Sequence, residues 1–388
     1  MTLYLYIFML FINSLFAFRK RHSKLLTIIT LITILLFIGG AGPEYHSYNH
    51  SRDYINYEIS YNNADFTGFF ERPEIGYTLL MKVGNLINLD FFSFRMVITA
   101  ICLLLIYQMV IKRYVYNSNY ILLMYMMYPM IIDSEHFRNF IAMTVFLFSI
   151  RFLEKNLLKD KIKFLVLALI ATSIHTAFIF YTPLIFVNVN DKNRLVKGIA
   201  IGTIFLTIVA FLNNNQVPFL QLILKFFDDE KVIRYLSSRT NFGFLIPVIL
   251  HLISIILVYW SRKVIIRKNF KTNIMDELND SINYNQKKRV ADIEFINLVF
   301  WINIIGIVFF PLYMMSTTFY RLARNFLILN FIVYSIASNK LKRGSAYKLI
   351  FNSTVIASVT LWLVMDLIIT TRPERVLIQF FTRNLFFN

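Results

Sequence analysis

The sequence is poor in charge and in cysteine. Only 16% of its 388 residues are Asp, Glu, Lys or Arg, and Cys102 is the only cysteine, so an internal disulfide is excluded. The six histidines show no Cys/His spacing typical of a zinc site. The sequence also lacks a Walker loop, a Gly-rich dinucleotide fingerprint and an HExxH motif. These absences argue against an ATP-driven pump, and we expect no cofactor and no metal.

Apolar residues dominate instead. Hydrophobic side chains make up 57% of the chain and aromatic ones 17%, far more than a water-exposed surface tolerates. Apolar runs near 20 residues recur along almost the whole sequence, which is about the length that crosses a lipid core as a helix. Backbone groups inside lipid must be paired within each segment. The sequence therefore predicts an all-α, polytopic transmembrane helix bundle of about 10–12 spans.

The basic residues predict the topology. The net charge is +18, but most Lys and Arg lie in short patches between apolar runs, as the positive-inside rule requires of cytoplasmic loops. The excess therefore orients the protein, and we expect no nucleic-acid partner. Both chain ends are predicted to lie on the outer side. The whole chain, 1–388, is predicted to be a single integral membrane domain in the cell membrane. Its predicted loops are a large outer loop after the second span, 42–90, with an interfacial helix at 75–89; an outer loop, 213–242, with an interfacial helix at 219–237; and a basic cytoplasmic loop, 261–292.

The run 164–190 does not fit this scheme as one span. The charges that flank it are both predicted inside, yet it is barely long enough for two short spans. We therefore expect a broken or re-entrant helix around Ser173–His175, sheltered by protein.

Polar residues that do not act as orientation signals collect on the predicted outer side. Ionisable groups at membrane depth usually face a cavity or a partner, so the clustering predicts a polar site that opens outward. Each group also has a simpler interpretation. Glu135 and Arg138 could form a helical ion pair, His175 could be a satisfied contact inside the bundle, and Arg321 and Arg324 could bind a lipid headgroup. The set comprises Arg52, Asp53, Glu71, Arg72, Glu74, Glu135, His136, Arg138, His175, Arg321 and Arg324.

Four motifs resemble those of one family. The strings Glu71-Arg72-Pro73-Glu74-Ile75-Gly76-Tyr77, Phe137-Arg138-Asn139-Phe140-Ile141-Ala142, Ser173-Ile174-His175-Thr176-Ala177 and Tyr320-Arg321-Leu322-Ala323-Arg324 follow one another along the chain. In this order they resemble the signatures of EpsG/Wzy-type polysaccharide polymerases, with Asn139 and Thr176 as departures. The size is similar to that of a capsule or exopolysaccharide polymerase of a low-GC Gram-positive bacterium.

The resemblance implies a glycosyltransferase that works at the outer face of the membrane. Its substrate would be a polyprenyl-diphosphate-linked oligosaccharide, and the growing glycan would move onto an incoming lipid-linked repeat. Arginines suit a diphosphate, and a histidine or carboxylate suits proton removal. The predicted catalytic residues are His175, Glu135 and Arg138; the predicted diphosphate-binding residues are Arg138, Arg321 and Arg324; and the predicted sugar-binding residues are Glu71, Arg72, Glu74 and Tyr77.

Other functions remain open at this point. A flippase for lipid-linked repeats needs the same headgroup contacts, a membrane O-acyltransferase needs a histidine-centred site, and a ligase that attaches finished polymer differs little in sequence. Besides the lipid-linked substrate and membrane lipid, a chain-length regulator and a flippase are candidate partners.

Overall fold

The computed structural model describes residues 1–18, 23–42, 52–64, 74–115, 117–155, 157–187, 193–218, 239–276, 283–371 and 373–387. Two of the predicted sugar-binding residues, Glu71 and Arg72, lie outside the described residues, and so does the predicted interfacial helix at 219–237.

The described residues are mostly helical and contain no β-strand, only one isolated β-bridge between Ala41 and Asn384. The all-α prediction is confirmed. The helices are α1 (Thr2–Phe18), α2 (Lys24–Gly39), α3 (Arg52–Asn62), α4 (Ile75–Leu86), α5 (Phe91–Leu105), α6 (Ser118–Met127), α7 (Met130–Glu135), α8 (Phe137–Ser149), α9 (Leu158–Ile174), α10 (Arg194–Leu212), α11 (Leu245–Asp276), α12 (Asn283–Ile305), α13 (Phe310–Met315), α14 (Tyr320–Arg324), α15 (Leu327–Lys340), α16 (Ala346–Leu363) and α17 (Leu377–Thr382).

Among the described residues, five helical stretches are long and apolar enough to cross a membrane, as the polytopic prediction requires. Four of these stretches carry several exposed large apolar side chains, which suits contact with lipid, whereas Ala291–Met315 is mostly buried. Three shorter apolar helices are α1, α2 and the 3₁₀ segment Thr176–Phe186. The count of about 10–12 spans and the outward orientation stay predictions. The five long stretches are Phe91–Tyr114, Arg194–Leu212, Leu245–Lys268, Ala291–Met315 and Ala346–Thr370.

The described residues form two compact units. The first comprises Met1–Phe152, Leu158–Thr182 and Leu341–Asn388, and the second comprises Leu153–Leu157 and Pro183–Lys340. The prediction of a single membrane domain over 1–388 stays a prediction.

Polar contacts join the helices of the first unit. The Asn13 side chain of α1 donates to the Thr30 hydroxyl of α2 at 2.9 Å, and both side chains are buried. Such pairs satisfy polar groups that lipid cannot. The C-terminal segment is held at the end of α2, because Leu385 N donates to Gly40 O at 2.9 Å and Gly42 N donates to the Arg383 carbonyl at 2.9 Å. The C-terminus and the start of the 42–90 loop therefore lie on the same side of this unit.

The second unit holds a buried polar cluster. The Asn303 side chain of α12 donates to the Asn330 side chain of α15 at 2.7 Å, and Nε2 of His251 in α11 lies 3.0 Å from the Asn303 carbonyl. Because a carbonyl only accepts, His251 carries a proton on Nε2. In the same unit, α11 continues to Asp276, so part of the predicted basic loop 261–292 is helical.

The predicted helix break near Ser173–His175 is present. Helix α9 ends at Ile174, His175 lies outside any helix, and a 3₁₀ segment runs from Thr176 to Phe186. A helix end leaves backbone groups without partners in the helix. The break therefore provides polar backbone groups beside His175.

Candidate functional site

Glu74 is the centre of a three-residue cluster in the first unit. Its Oε2 accepts a charged hydrogen bond from Nη1 of Arg138. Its Oε1 lies 2.8 Å from Nδ1 of His175 and 3.4 Å from the backbone N–H of Thr176. One carboxylate thus holds together three of the four sequence motifs.

The helix ends explain how these residues meet. Helices α8 and α9 pack against each other, and the start of α8 lies beside the end of α9 because the chain reverses between them. Arg138 lies in the first turn of α8, and His175 follows the last residue of α9. Glu74 directly precedes α4, which packs against α9. All three side chains therefore come from helix ends, where the backbone is free to leave the helix.

The cluster is largely withdrawn from solvent. The exposed fractions of the side chains are 13% for Glu74, 25% for His175 and 29% for Arg138. Burial alone would raise the pKa of the Glu74 carboxyl, but the hydrogen bond with His175 and the positive charge of Arg138 outweigh it and lower that pKa. Glu74 is therefore a carboxylate at neutral pH.

Two tyrosines flank the Arg138 guanidinium. Its central carbon lies 5.0 Å from the ring centre of Tyr57 and 5.8 Å from that of Tyr77, within the range of a cation–π contact. Both rings are buried, and Arg138 also hydrogen-bonds to the Tyr57 hydroxyl. Burial raises the pKa of Tyr57 to about 12, so its phenol stays protonated. Burial also raises the pKa of Tyr77, whose hydroxyl has no partner among the described residues.

A second arginine lies beneath this layer. Arg95 of α5 is 1% exposed, and its Nη2 donates to the Ile38 and Ser134 carbonyls at 3.0 Å each. These carbonyls belong to the last turns of α2 and α7, where a cation is favourable. The guanidinium also stacks on the rings of Tyr54 and Phe137, each 4.9 Å away. Arg95 thus links α3, through Tyr54, to the C-terminal ends of α2 and α7.

The structure brings together part of the predicted site. Glu74, Arg138 and His175 form the cluster, and Tyr77 lies beside Arg138. Glu135 ends α7 near the cluster, close enough for its charge to act on Tyr57 and Arg95. The chain leaves the helix at His136, so the helical ion pair considered for Glu135 and Arg138 would have to cross a break.

The other two predicted diphosphate ligands belong to the second unit. Arg321 and Arg324 lie in α14, where Arg321 is half-buried and Arg324 is buried. Nε of Arg321 has no partner among the described residues. Their role in binding diphosphate stays a prediction.

Two residues around the cluster, Tyr57 and Arg95, were not predicted. The buried residues Tyr54, Tyr57 and Tyr61 follow one face of α3 at helical spacing, a signal that the sequence did contain. Arg95 is a lone arginine inside an apolar run, which usually marks a functional or structural partner in a membrane protein.

The described residues contain no group of three or more His, Cys, Asp and Glu side chains that could hold a metal ion. What the cluster itself offers is an imidazole, a carboxylate hydrogen-bonded to it, and a guanidinium paired with that carboxylate. Such groups are suited to proton transfer and to the stabilisation of negative charge.

Comparison with known proteins agrees with the motifs. No curated protein and no solved structure matches the chain. The model of the EpsG family matches residues 45–379, which is most of the sequence and includes every residue of the cluster. The chain therefore belongs to the EpsG family, a family of Wzy-type polysaccharide polymerases.

Proposed function

We propose that this protein transfers a growing glycan from polyprenyl diphosphate onto an incoming lipid-linked oligosaccharide repeat, at the outer face of the cytoplasmic membrane, in capsular or exopolysaccharide synthesis. The observation that carries the proposal is the position of Glu74 between His175 and Arg138, in a chain of a Wzy-type polymerase family. The three residues supply the two functions that the transfer needs.

The first function is proton removal. A carboxylate only accepts hydrogen bonds. His175 therefore carries a proton on Nδ1 and donates a hydrogen bond from this N–H to Glu74. In the neutral ring this leaves a lone pair on Nε2. Nε2 can then take the proton of an acceptor sugar hydroxyl, as a general base does. In this proposal Glu74 is the residue that fixes the tautomer and the orientation of the base, in addition to its predicted contact with sugar.

The second function is stabilisation of the leaving group. As the acceptor oxygen bonds to the anomeric carbon of the donor glycan, the bond from that carbon to the diphosphate oxygen breaks. The electron pair leaves with polyprenyl diphosphate. Arg138 stays charged and is already fixed by Glu74 and the tyrosine rings, so little reorganisation is needed to face the developing charge.

The remaining predicted residues take supporting roles. Arg321 and Arg324 are candidates for a second set of diphosphate contacts, because two lipid-linked substrates must bind at once. Glu71, Arg72 and Tyr77 are candidates for contacts with sugar, and Glu135 is an alternative base.

Reconstitution tests the proposal. The purified chain in liposomes, given a lipid-linked repeat of defined structure, should produce a ladder of lipid-linked glycans that differ by one repeat. His175→Ala and Arg138→Ala should remove the ladder. Substrate that becomes protected in the opposite leaflet without a ladder would indicate a flippase and would refute the proposal.

Arg151→Ala is a matched control for Arg138→Ala. Arg151 follows the other end of α8 and also stacks on aromatic rings, with its guanidinium 3.8 Å from the ring centre of Phe148. The exchange removes a similar stacked cation away from the cluster, so the ladder should persist.

A further inference from the structure

The contact between α4 and α9 depends on a residue without a side chain. A Cβ built on Gly76 would lie 3.0 Å from the backbone carbonyl carbon of Ser173 and 3.1 Å from Cγ1 of Ile174, and it would overlap the Ser173 hydroxyl. Ordinary carbon contacts begin near ~3.5 Å. The first turn of α4 therefore lies against the backbone of the last turn of α9 at a distance that only glycine allows.

This close approach lies directly beside the cluster. Gly76 is two residues after Glu74, and Ser173 is two residues before His175. Any change in the separation of the two helix ends changes the distance between Oε1 of Glu74 and Nδ1 of His175. The distance from the same oxygen to the Thr176 N–H changes with it.

The ends of α4 and α9 can move apart only slightly before the hydrogen bond between Glu74 and His175 is lost. To bring an added Cβ into ordinary contact, the two helix ends must move apart by roughly 0.5–1 Å. The hydrogen bond between Glu74 and His175 is 2.8 Å, and the one to Thr176 is already 3.4 Å. An added 0.5–1 Å takes the bond between Glu74 and His175 beyond about 3.2 Å, the usual limit for such bonds, and lengthens the contact with Thr176, which is already longer than that.

Rotation of the Ser173 hydroxyl does not remove the conflict. That hydroxyl donates to the Ile170 carbonyl at 2.8 Å, so turning it away breaks an existing bond. The backbone carbon of Ser173 and the side chain of Ile174 remain too close after rotation.

We propose that Gly76 is a positioning residue that sets the separation at which Glu74 holds His175. The proposal rests on the proposed function for its catalytic consequence, but the contact itself can be tested without activity. It gives a physical reason for glycine at the third position of the Glu74-Ile75-Gly76-Tyr77 string.

A double-mutant cycle on thermal stability tests the contact. In detergent, the melting-temperature shifts of Glu74→Gln and His175→Gln should be non-additive in the native background, because the two residues interact directly. In a Gly76→Ala background the two shifts should add. Persistent non-additivity in Gly76→Ala would overturn the proposal, whether or not the protein makes polymer.

Gly84→Ala is the matched control. Gly84 lies near the other end of α4, where an added Cβ would be 2.7 Å from the Phe94 ring and from the Tyr61 hydroxyl. This exchange introduces a steric clash on the same helix but away from His175, so the coupling between Glu74 and His175 should remain. Loss of the coupling in Gly84→Ala as well would mean that any disturbance of α4 acts alike, and it would contradict a specific role for Gly76.

A compensating exchange tests the mechanism. Ser173→Gly removes the hydroxyl that the Cβ added by Gly76→Ala would overlap, and it leaves contacts at 3.0 and 3.1 Å, which need a shift of only a few tenths of an ångström. Gly76→Ala with Ser173→Gly should therefore recover part of the coupling and, if the protein polymerises glycan, part of kcat. Equal loss in the single and double variants would refute the steric explanation.

A lack of polymer with the native chain would refute the proposed function alone. A native ladder whose kcat is unchanged in Gly76→Ala would refute the role of Gly76 alone. In an active protein, Gly76→Ala should add little to His175→Ala, because both act through the same imidazole.

Discussion

Glu74→Gln is the most informative single exchange, because glutamine has nearly the shape of glutamate and reverses one hydrogen bond. Arg138 only donates, so it attracts the amide oxygen of the new glutamine. The amide nitrogen then faces Nδ1 of His175, which must accept. The proton of the neutral imidazole moves to Nε2, the atom that we propose as the base.

The magnitude follows from the function that is lost. General-base catalysis contributes about 10²–10⁴-fold to a rate. The equivalent Asp→Asn exchange in a serine protease triad lowers kcat by about 10⁴ through the wrong tautomer. We expect Glu74→Gln to lower kcat by about 10²–10⁴. KM for the lipid-linked acceptor should change much less, since the exchange alters the base more than the binding surface.

The assay is the initial rate of glycan extension in proteoliposomes, at saturating and limiting acceptor. Expression level and melting temperature of the variant serve as controls for folding. Glu74→Asp keeps the charge but shortens the side chain by one methylene. Any fall in kcat in this variant should therefore come from the longer distance between the carboxylate and His175, and not from a change of tautomer. A Glu74→Gln protein that keeps a third or more of the native kcat would refute the role of Glu74 in fixing the imidazole.

Three further predictions follow from the contacts of the cluster. Arg138→Lys keeps the charge but cannot make the forked contacts, so kcat should fall at least about 10-fold, and Arg138→Ala should cost about 10²–10³-fold in the same assay. Arg95→Met leaves two buried helix-end carbonyls without their charged donor, which should cost about 2–3 kcal/mol and appear as a lower melting temperature in detergent, whereas an unchanged value would contradict the tie between helix ends. Because His175 and Arg138 lower the pKa of Glu74, the stability that this carboxylate contributes is present above the pKa of a glutamate in the unfolded chain and is lost as pH falls through the lower, folded value. The melting temperature of the native protein should therefore fall more steeply in acid than that of Glu74→Gln, and parallel curves would contradict the pKa shift.

The helices follow from local sequence pattern. The apolar run 92–111 predicted a span where Phe91–Tyr114 is found, because an apolar run of this length has few alternatives in lipid. The break near His175 was also predictable, since the run 164–190 has the wrong length and flanking charge for one span.

The pairing within the cluster was not predictable from the sequence. Glu74 is 64 residues from Arg138 and 101 from His175, and helical periodicity reports only on neighbours three or four residues apart. The sequence therefore indicated each residue separately and assigned Glu74 to sugar. The packing of α4 on α9 is what makes it a shared partner of a base and a cation.

The buried layer around the cluster was missed for a different reason. Tyr57 lies in a polar stretch of the sequence and Arg95 in an apolar run, and neither pattern says which face of a helix meets a neighbour. Burial of both side chains depends on how α3 packs against α4 and α5.

A single-turnover measurement tests the central claim most directly. A donor with a labelled glycan and an unlabelled lipid-linked acceptor are mixed with the purified chain in liposomes. The account predicts that the label moves to the acceptor's glycan, with one polyprenyl diphosphate released for each transfer, and that His175→Ala stops both. Label that stays on its original lipid while the native protein is folded, or transfer that proceeds at the native rate in His175→Ala, would contradict the account.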